Sequence, residues 1–346
     1  MLKYILRRVL LMIPVLLGIT IIYFGIINAA PGGPIEQKIQ QLRFGGVGAD
    51  GASAAGNSGS NKENAVSEEV IEALKKQYGF DKPWYVRYGL WLKNIASMDF
   101  GESFTYEEPA LDVVTSKFPV SIQFGIASLI LSYLICIPLG ILKAIKNGTG
   151  FDLFTSVTLS IMYAIPGFML GIVLIVFFAG GSFYEWFPVG ELYSDGYDSM
   201  TFMEQVIDRL HHFVLPLISY MISSFTVLTL LMKNSLLEEI KKDYIRTARA
   251  KGLSERVVYL KHALRNALIP IATGIGSFIG VFLAGSLLIE TIFQLDGLGL
   301  LGYQSLLSRD YNVLMCLMFF SSIVMLVGNL ISDICYVLVD PRIDFS

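Results

Sequence analysis

Six stretches of about 20 residues free of Lys, Arg, Asp and Glu recur along the chain, each long enough to cross a hydrocarbon core of about 30 Å as a helix. They lie near Val9 to Ala30, Val120 to Leu142, Leu153 to Ala179, Phe213 to Met232, Ile271 to Ile289 and Val313 to Ser332. The first is expected to be an anchor and not a cleaved signal, because its roughly 21 apolar residues exceed the ~7–15 of a signal's apolar core. Basic residues are uneven between the runs: three precede the first, two lie within Lys143 to Asp152, and nine lie within Lys233 to Arg265. Gly180 to His212 holds only Arg209 against six acidic residues. Short basic loops stay on the cytoplasmic side, so both termini are expected inside, with Pro31 to Pro119, Gly180 to His212 and Glu290 to Asn312 outside.

The polar segments carry patterns of their own. Phe44 to Asn61 is rich in Gly, Ala and Ser and is expected to be an external, mobile insert. Ser67 then opens a predicted helix with Val70, Ile71, Leu74 and Tyr78 at helical spacing, closed by Gly79. Trp84, Tyr85, Tyr88 and Trp91 fit either an interfacial belt or a docking surface for an external partner. In the fifth run Thr273, Gly276, Ser277, Gly280 and Ala284 form a small-residue stripe, suited to packing within the subunit or to a subunit interface or pore lining. The basic segment Ser235 to Pro270 is predicted to fold as two helices. Leu236 to Ala250 would put Ile240, Tyr244 and Ala248 on one face, Gly252 would stop it, and Ser254 would cap a second helix carrying Val257, Val258 and Leu264. A compact knob with small residues at its corner suits docking against another protein.

Composition narrows the function classes. Of 346 residues 54% are apolar and 16% charged, against about 25% charged in soluble domains, and the mean hydropathy is +0.60. A net charge of −3 gives no field for nucleic acid. The three cysteines lie within apolar runs without C-x-x-C spacing, and the three histidines have no metal-ligand spacing, so neither a disulfide framework nor a metal site is expected. GLGLLG at Gly297 to Gly302 lacks the strand and helix of a dinucleotide site, and Gly46 to Gly51 is followed by Ala52 where a phosphate loop needs Lys. The chain is therefore expected to bind no nucleotide, to hold no cofactor and to be no enzyme. Spans nearly free of charge argue against a proton-coupled carrier or a charge-ringed channel, and for Glu290 and Asp333, at span ends, snorkelling is as good an explanation as an ion pathway. A self-contained carrier would also show inverted repeats, and a membrane hydrolase a nucleophile with a base; neither is visible.

The segment TARAKGLSERVVYLKHALRNALIP resembles the cytoplasmic coupling loop of binding-protein-dependent ABC importer permeases of the oligopeptide/dipeptide type. Aligned on Gly252, Ala248 and Leu264 also match the general family pattern; Arg246 and Arg265 depart from it, and His262, Leu264, Arg265 and Asn266 resemble the peptide-permease variant H-x-L-R-N-A. The likeness continues through LRRVLLMIPVLLGIT, YGFDKPWYVRYGLWLKN, DFGESF, FPVSIQFGIASLILSYLICIPLGI, ETIFQLDGLGLLG and SRDYNVL. FFAGG, SLLIE, the Gly-rich insert and VDPRIDF are most similar to the B-type subunit of microcin C and peptide importers.

The resemblance implies an all-α, six-helix permease of the type I importer fold in a bacterial inner membrane, moving peptides or microcin C-like compounds by alternating access. It further implies a homologous second permease, two cytoplasmic ATPases that bind ATP and Mg, and an external substrate-binding protein. The expected organisation is residues 1–30 as cytoplasmic N-terminus and first span, 31–119 as external region with insert 44–61, and 120–346 as a five-helix core with coupling loop 233–269. Within that loop the resemblance marks Asp243, Tyr244, Arg246, Thr247, Ala248, Ala250, Gly252, Ser254, His262, Leu264, Arg265 and Asn266 as the ATPase-coupling residues.

Overall fold

The computed structural model describes residues 2–29, 82–180, 183–283 and 285–339. The insert Phe44 to Asn61 and the helix expected from Ser67 to Gly79 lie outside the described residues. Those described are helical apart from loops and a single antiparallel bridge between Glu102 and Pro109. The helices are α1 (Leu2–Ala29), α2 (Trp84–Ala96), α3 (Ala110–Ile145), α4 (Gly150–Ala164), α5 (Gly167–Phe178), α6 (Phe202–Ile240), α7 (Asp243–Ala250) and α8 (Glu255–Val257). A π-helical turn, Val258–Ala263, leads into α9 (Leu264–Ala267), α10 (Ile269–Leu283), α11 (Leu287–Ile292), α12 (Leu298–Leu307) and α13 (Tyr311–Val339).

Among the described residues helix covers most of each expected run, and five of the six runs are long and apolar enough to cross a membrane once bent pairs are counted as single spans. α1, α3 and α13 cross as single helices by length and apolarity, and two further spans are bent. The run Leu153 to Ala179 is not one straight helix: α4 and α5 meet at 97°. Pro166 forces this break, because its ring bars the preceding residue from helical backbone, and Ile165 is extended at φ −92°, ψ 117°. The fourth run bends by 54° between Ile222 and Ser224 within α6. The fifth run is divided between α10 and α11. α10 alone has 15 residues, or roughly 22 Å at 1.5 Å per residue, and ends before Gly285, whose φ of +77° is left-handed.

The described residues fall into two compact units, one within 1–14, 116–303 and 320–346, the other within 15–115 and 304–319. In the first, Phe124 stacks on Phe213 with ring centroids 4.0 Å apart and is buried with Leu215, Tyr220, Phe293 and Leu295. A second cluster joins Cys136 of α3, Leu228, Met232 and Leu236 of α6, Ile245 of α7, Val258 of the π-helical turn and Ile271 of α10. This cluster fastens the polar knob segment to the spans.

In the second unit the four aromatics of α2 divide. Tyr88 and Trp91 pack on Phe24 of α1 with centroids 5.4 and 6.1 Å away, and the Tyr88 hydroxyl lies 3.0 Å from that of Thr20. Trp84 and Tyr85 stay exposed. The DFGESF segment meets SRDYN in this unit: buried Asp310 accepts hydrogen bonds from the Ser103 hydroxyl and the Thr105 N–H, while the Asn312 side chain donates to the Glu102 carbonyl at 2.7 Å.

Candidate coupling site

The knob is built outward from α6. One continuous helix from Leu236 to Ala250 is expected, but the structure ends α6 at Ile240 and restarts at Asp243, with Lys242 extended at ψ 152°. Side chains hold the break: the Glu239 carboxylate accepts from Lys242 Nζ and from the Tyr244 hydroxyl, and Asp243 begins α7 where the helix dipole favours an acid. The restart rotates the helix, so Ile245 and Ala248 point inward while Tyr244 is exposed, which corrects the expected face of Ile240, Tyr244 and Ala248. Ile245 is fully buried, a contribution of roughly 1.5–3 kcal/mol from one side chain.

α7 closes with Gly252 at φ +78°; the Gly252 N–H donates to the Arg249 carbonyl and the Leu253 N–H to the Ala248 carbonyl. These two bonds form the paired C-terminal cap that a left-handed residue makes possible. Ser254 takes the N-cap position of α8 through its carbonyl, which accepts from Val257 and Val258, and its side chain makes no cap bond. The second helix does not run uniformly: it widens into the π-helical turn, where Val258 and Ala263 are buried and Val257 is exposed. Across the corner Arg249 grips Glu255 with two bonds of 2.8 and 3.2 Å. Arg249 lowers the Glu255 carboxyl pKa and is itself raised, but both groups are solvated and the pair adds little stability.

The expected coupling residues therefore occupy two positions. Asp243, Arg246, Thr247, Ala250, Gly252, Ser254 and Arg265 are exposed on the knob, while Ala248 is buried and His262, Leu264 and Asn266 are half-buried. Asn266 donates to the Tyr244 hydroxyl at 2.9 Å, bringing two of them together, and burial with the Glu239 hydrogen bond pushes the Tyr244 hydroxyl up to about 12. Arg246 and Asp243 pair at 3.2 Å with 75% and 94% of their side chains exposed, leaving both free to exchange partners. The exposed tip also carries the apolar Leu253 and Val257, a mixed surface suited to docking.

The small-residue stripe divides. A Cβ on Gly276 would lie 2.0 Å from the Gly328 carbonyl of α13, so this position packs within the chain, whereas Gly280 has nothing within 4 Å. The side chain of Ser277 and all of Ala284 lie outside the described residues.

Glu290 does not snorkel. It is 1% exposed, and its Oε1 accepts from the Ser121 hydroxyl, the Tyr220 hydroxyl and the Ser286 N–H, each at 3.2 Å, while Oε2 accepts from the Leu300 N–H at 2.7 Å. A buried carboxylate persists only when its lone pairs are taken in this way. The GLGLLG segment, which has no nucleotide context, forms one wall: a Cβ on Gly297 would lie 2.7 Å from Oε1, and one on Gly299 2.6 Å from the Leu287 nitrogen. Asp333 differs from Glu290, pairing with Arg8 at 3.2 Å. Sequence reasoning misses both the cage and a second charged cluster of Lys143, Asp152 and Lys233. Here Asp152 Oδ1 lies 3.0 Å from Lys143 Nζ and 2.8 Å from Lys233 Nζ.

Apolar helices of spanning length with a polar knob packed at their ends define a polytopic membrane protein. The family described as binding-protein-dependent transport system inner membrane component matches residues 136–345. The chain is 47% identical to the peptidoglycan transport system permease protein YejB of Agrobacterium fabrum, over 99% of this chain and 98% of that one. It is 43% identical to the inner membrane ABC transporter permease protein YejB of Escherichia coli O157:H7 over 99% of each. Identity to the oligopeptide transport system permease protein AppB of Bacillus subtilis is 37% over the whole of both. The chain belongs to the family of inner-membrane components of binding-protein-dependent ABC transport systems.

Proposed function

We propose that this chain is one of two homologous permease subunits that form the path of an ATP-driven importer for peptides or peptide-like compounds, microcin C-like compounds among them. ATP and Mg are bound by two cytoplasmic ATPase partners, and an external binding protein delivers the substrate. The observation that carries the reading is the knob, whose exposed tip around Gly252 is fixed by Ile245 and Val258 to the same buried cluster as α3, α6 and α10. A push on such a tip moves spans instead of bending a loop. ATP-state preference at the tip would then shift the spans between inward-open and outward-open states.

The basic loops support cytoplasmic termini, and segments given the same side by their charge lie together. Lys143 to Asp152 and Lys233, assigned inside by charge, meet at Asp152, while DFGESF and SRDYN, assigned outside, meet at Asp310. The apolar groove of Leu129, Tyr133, Ile137 and Ile275 suits a helix of the second permease. Peptide substrates are supported by the names of the relatives, which cover peptidoglycan and oligopeptide transport. The test is uptake of radiolabelled peptides by proteoliposomes holding the whole complex. ATP-driven uptake that depends on the binding protein is expected; a chain that purifies without any ATPase, or a complex that takes up no peptide, overturns the reading.

A further inference from the structure

Lys143 lies in the last turn of α3, Asp152 in the first turn of α4 and Lys233 in α6, seven residues before that helix ends at the knob. Lys143 is fully buried. Its Nζ donates to the Thr155 hydroxyl at 2.7 Å, the Ser156 hydroxyl at 2.9 Å and the Asp152 carbonyl at 3.0 Å, besides pairing with the carboxylate. Lys233 Nζ lies 2.8 Å from both carboxylate oxygens, and the Gly148 N–H donates to Oδ2 at 3.2 Å. One carboxylate thus ties the end of α3, the start of α4 and the turn between them to a point on α6 two turns before its end. Lys143 at a helix C-terminus and Asp152 at an N-terminus also sit where the helix dipoles favour their charges.

The apolar packing of α3 on α6 is close, since a Cβ on Gly140 would lie 2.6 Å from the Met232 Cβ, and it transmits displacement but sets no fixed partner for any one side chain. The buried charged bonds add an attachment with fixed partners, because parting them leaves an uncompensated charge out of water. We infer that Asp152 is a positioning residue that carries movement of α6 to α3 and α4, and so to the 97° corner at Pro166. The inference rests on the reading that the knob couples ATPases to the spans. In it, Lys233 delivers the displacement of α6, Asp152 receives it, and Lys143 passes it to α3.

The experiment uses the complete transporter in proteoliposomes and compares Asp152→Asn with the double variant Lys143→Met/Asp152→Asn. Asp152→Asn leaves two lysines without a counter-charge and is expected to lower the yield of complex and to cut uptake per complex at least tenfold. Basal ATPase should stay within about twofold, so hydrolysis is uncoupled from transport. The double variant removes the fully buried charge with its partner and leaves only the partly solvated Lys233 unpaired, so it should restore most of the yield, yet uptake per complex and stimulation by loaded binding protein should stay low. Asp152→Glu should recover part of both. Recovery of uptake together with yield in the double variant would show that the cluster serves only stability, and normal uptake by Asp152→Asn overturns the inference equally. If the wild-type complex transports a substrate other than a peptide, the comparison is made on that substrate; a wild type with no ATP-driven uptake overturns the transport reading and this inference with it.

Discussion

Gly276 of α10 and Gly328 of α13 bring two helix backbones into contact: a Cβ on Gly276 would lie 2.0 Å from the Gly328 carbonyl oxygen, and one on Gly328 would lie 2.7 Å from that of Gly276. No rotamer relieves a clash between a Cβ and a backbone atom. Gly276→Ala must separate the helices, and overpacking of this kind costs typically 1–3 kcal/mol. The expected result is a lower unfolding midpoint for the detergent-purified chain, read by size-exclusion chromatography after heating. Gly280→Ala, with open space around it, should leave the midpoint unchanged. Equal effects at both positions would place the stripe's role outside this contact.

Glu290 supplies a second test, because its four donors come from three helices and a backbone turn. Glu290→Ala leaves those donors buried without an acceptor, at about 1–3 kcal/mol for each unsatisfied group. Glu290→Gln keeps one acceptor oxygen and should lose less, and Tyr220→Phe, which removes a single bond, should cost only about 0.5–1.5 kcal/mol. The order of thermal stability should be wild type, Tyr220→Phe, Glu290→Gln, Glu290→Ala. A Glu290→Ala chain as stable as wild type would mean that water reaches the site and satisfies the donors.

How far these features were readable before the structure depends on where their partners lie. The six apolar runs and the Gly252 corner are local patterns and could be read directly. The rotation at Lys241 and Lys242 could not, because Ile240, Tyr244 and Ala248 keep helical spacing straight through it, and the break is held by Glu239 reaching Lys242 and Tyr244. A carboxylate at a span end looks alike in sequence whether it snorkels or is caged. The cage of Glu290 is not visible in sequence because its donors stand at residues 121, 220, 286 and 300. Lys143 and Lys233 likewise register only as loop charges until Asp152 is seen between them.

Asp310 also anchors a contact far apart in sequence. It accepts from Ser103 and Thr105, and its Oδ1 lies 3.4 Å from the Val313 N–H in the first turn of α13. Asp310→Ala removes a helix cap worth roughly 0.5–2 kcal/mol and frees the DFGESF segment. Hydrogen exchange at Gly101 to Tyr106 should quicken several-fold, while exchange in the knob at Ile245 and Ala248 should not change. Asp310→Asn, which keeps an acceptor oxygen, should lie between. Unchanged exchange at Gly101 to Tyr106 in the alanine variant would show that other bonds hold this segment.

The knob itself is tested at Gly252, where geometry separates two causes of failure. A Cβ there meets nothing within 4 Å, so substitution is limited by the backbone alone, at φ +78°. For a residue with a side chain that conformation costs roughly 1–2 kcal/mol, and a β-branched one fits it worst. Gly252→Val should therefore turn the corner out of its capped form and displace Leu253 and the start of α8. The spans, which the corner does not touch, should insert and pack as before, so expression should survive. Uptake by the assembled transporter should fall several-fold, with loss of ATPase stimulation or loss of the ATPase on purification. Gly252→Asn should be milder, since Asn visits left-handed backbone more readily. Arg246→Glu and Arg265→Glu change charge on the exposed knob without altering its backbone, and should give graded defects that weaken as salt is raised. A Gly252→Val complex that assembles normally, with unchanged stimulated ATPase and unchanged uptake, would reduce the knob to a solvated basic loop.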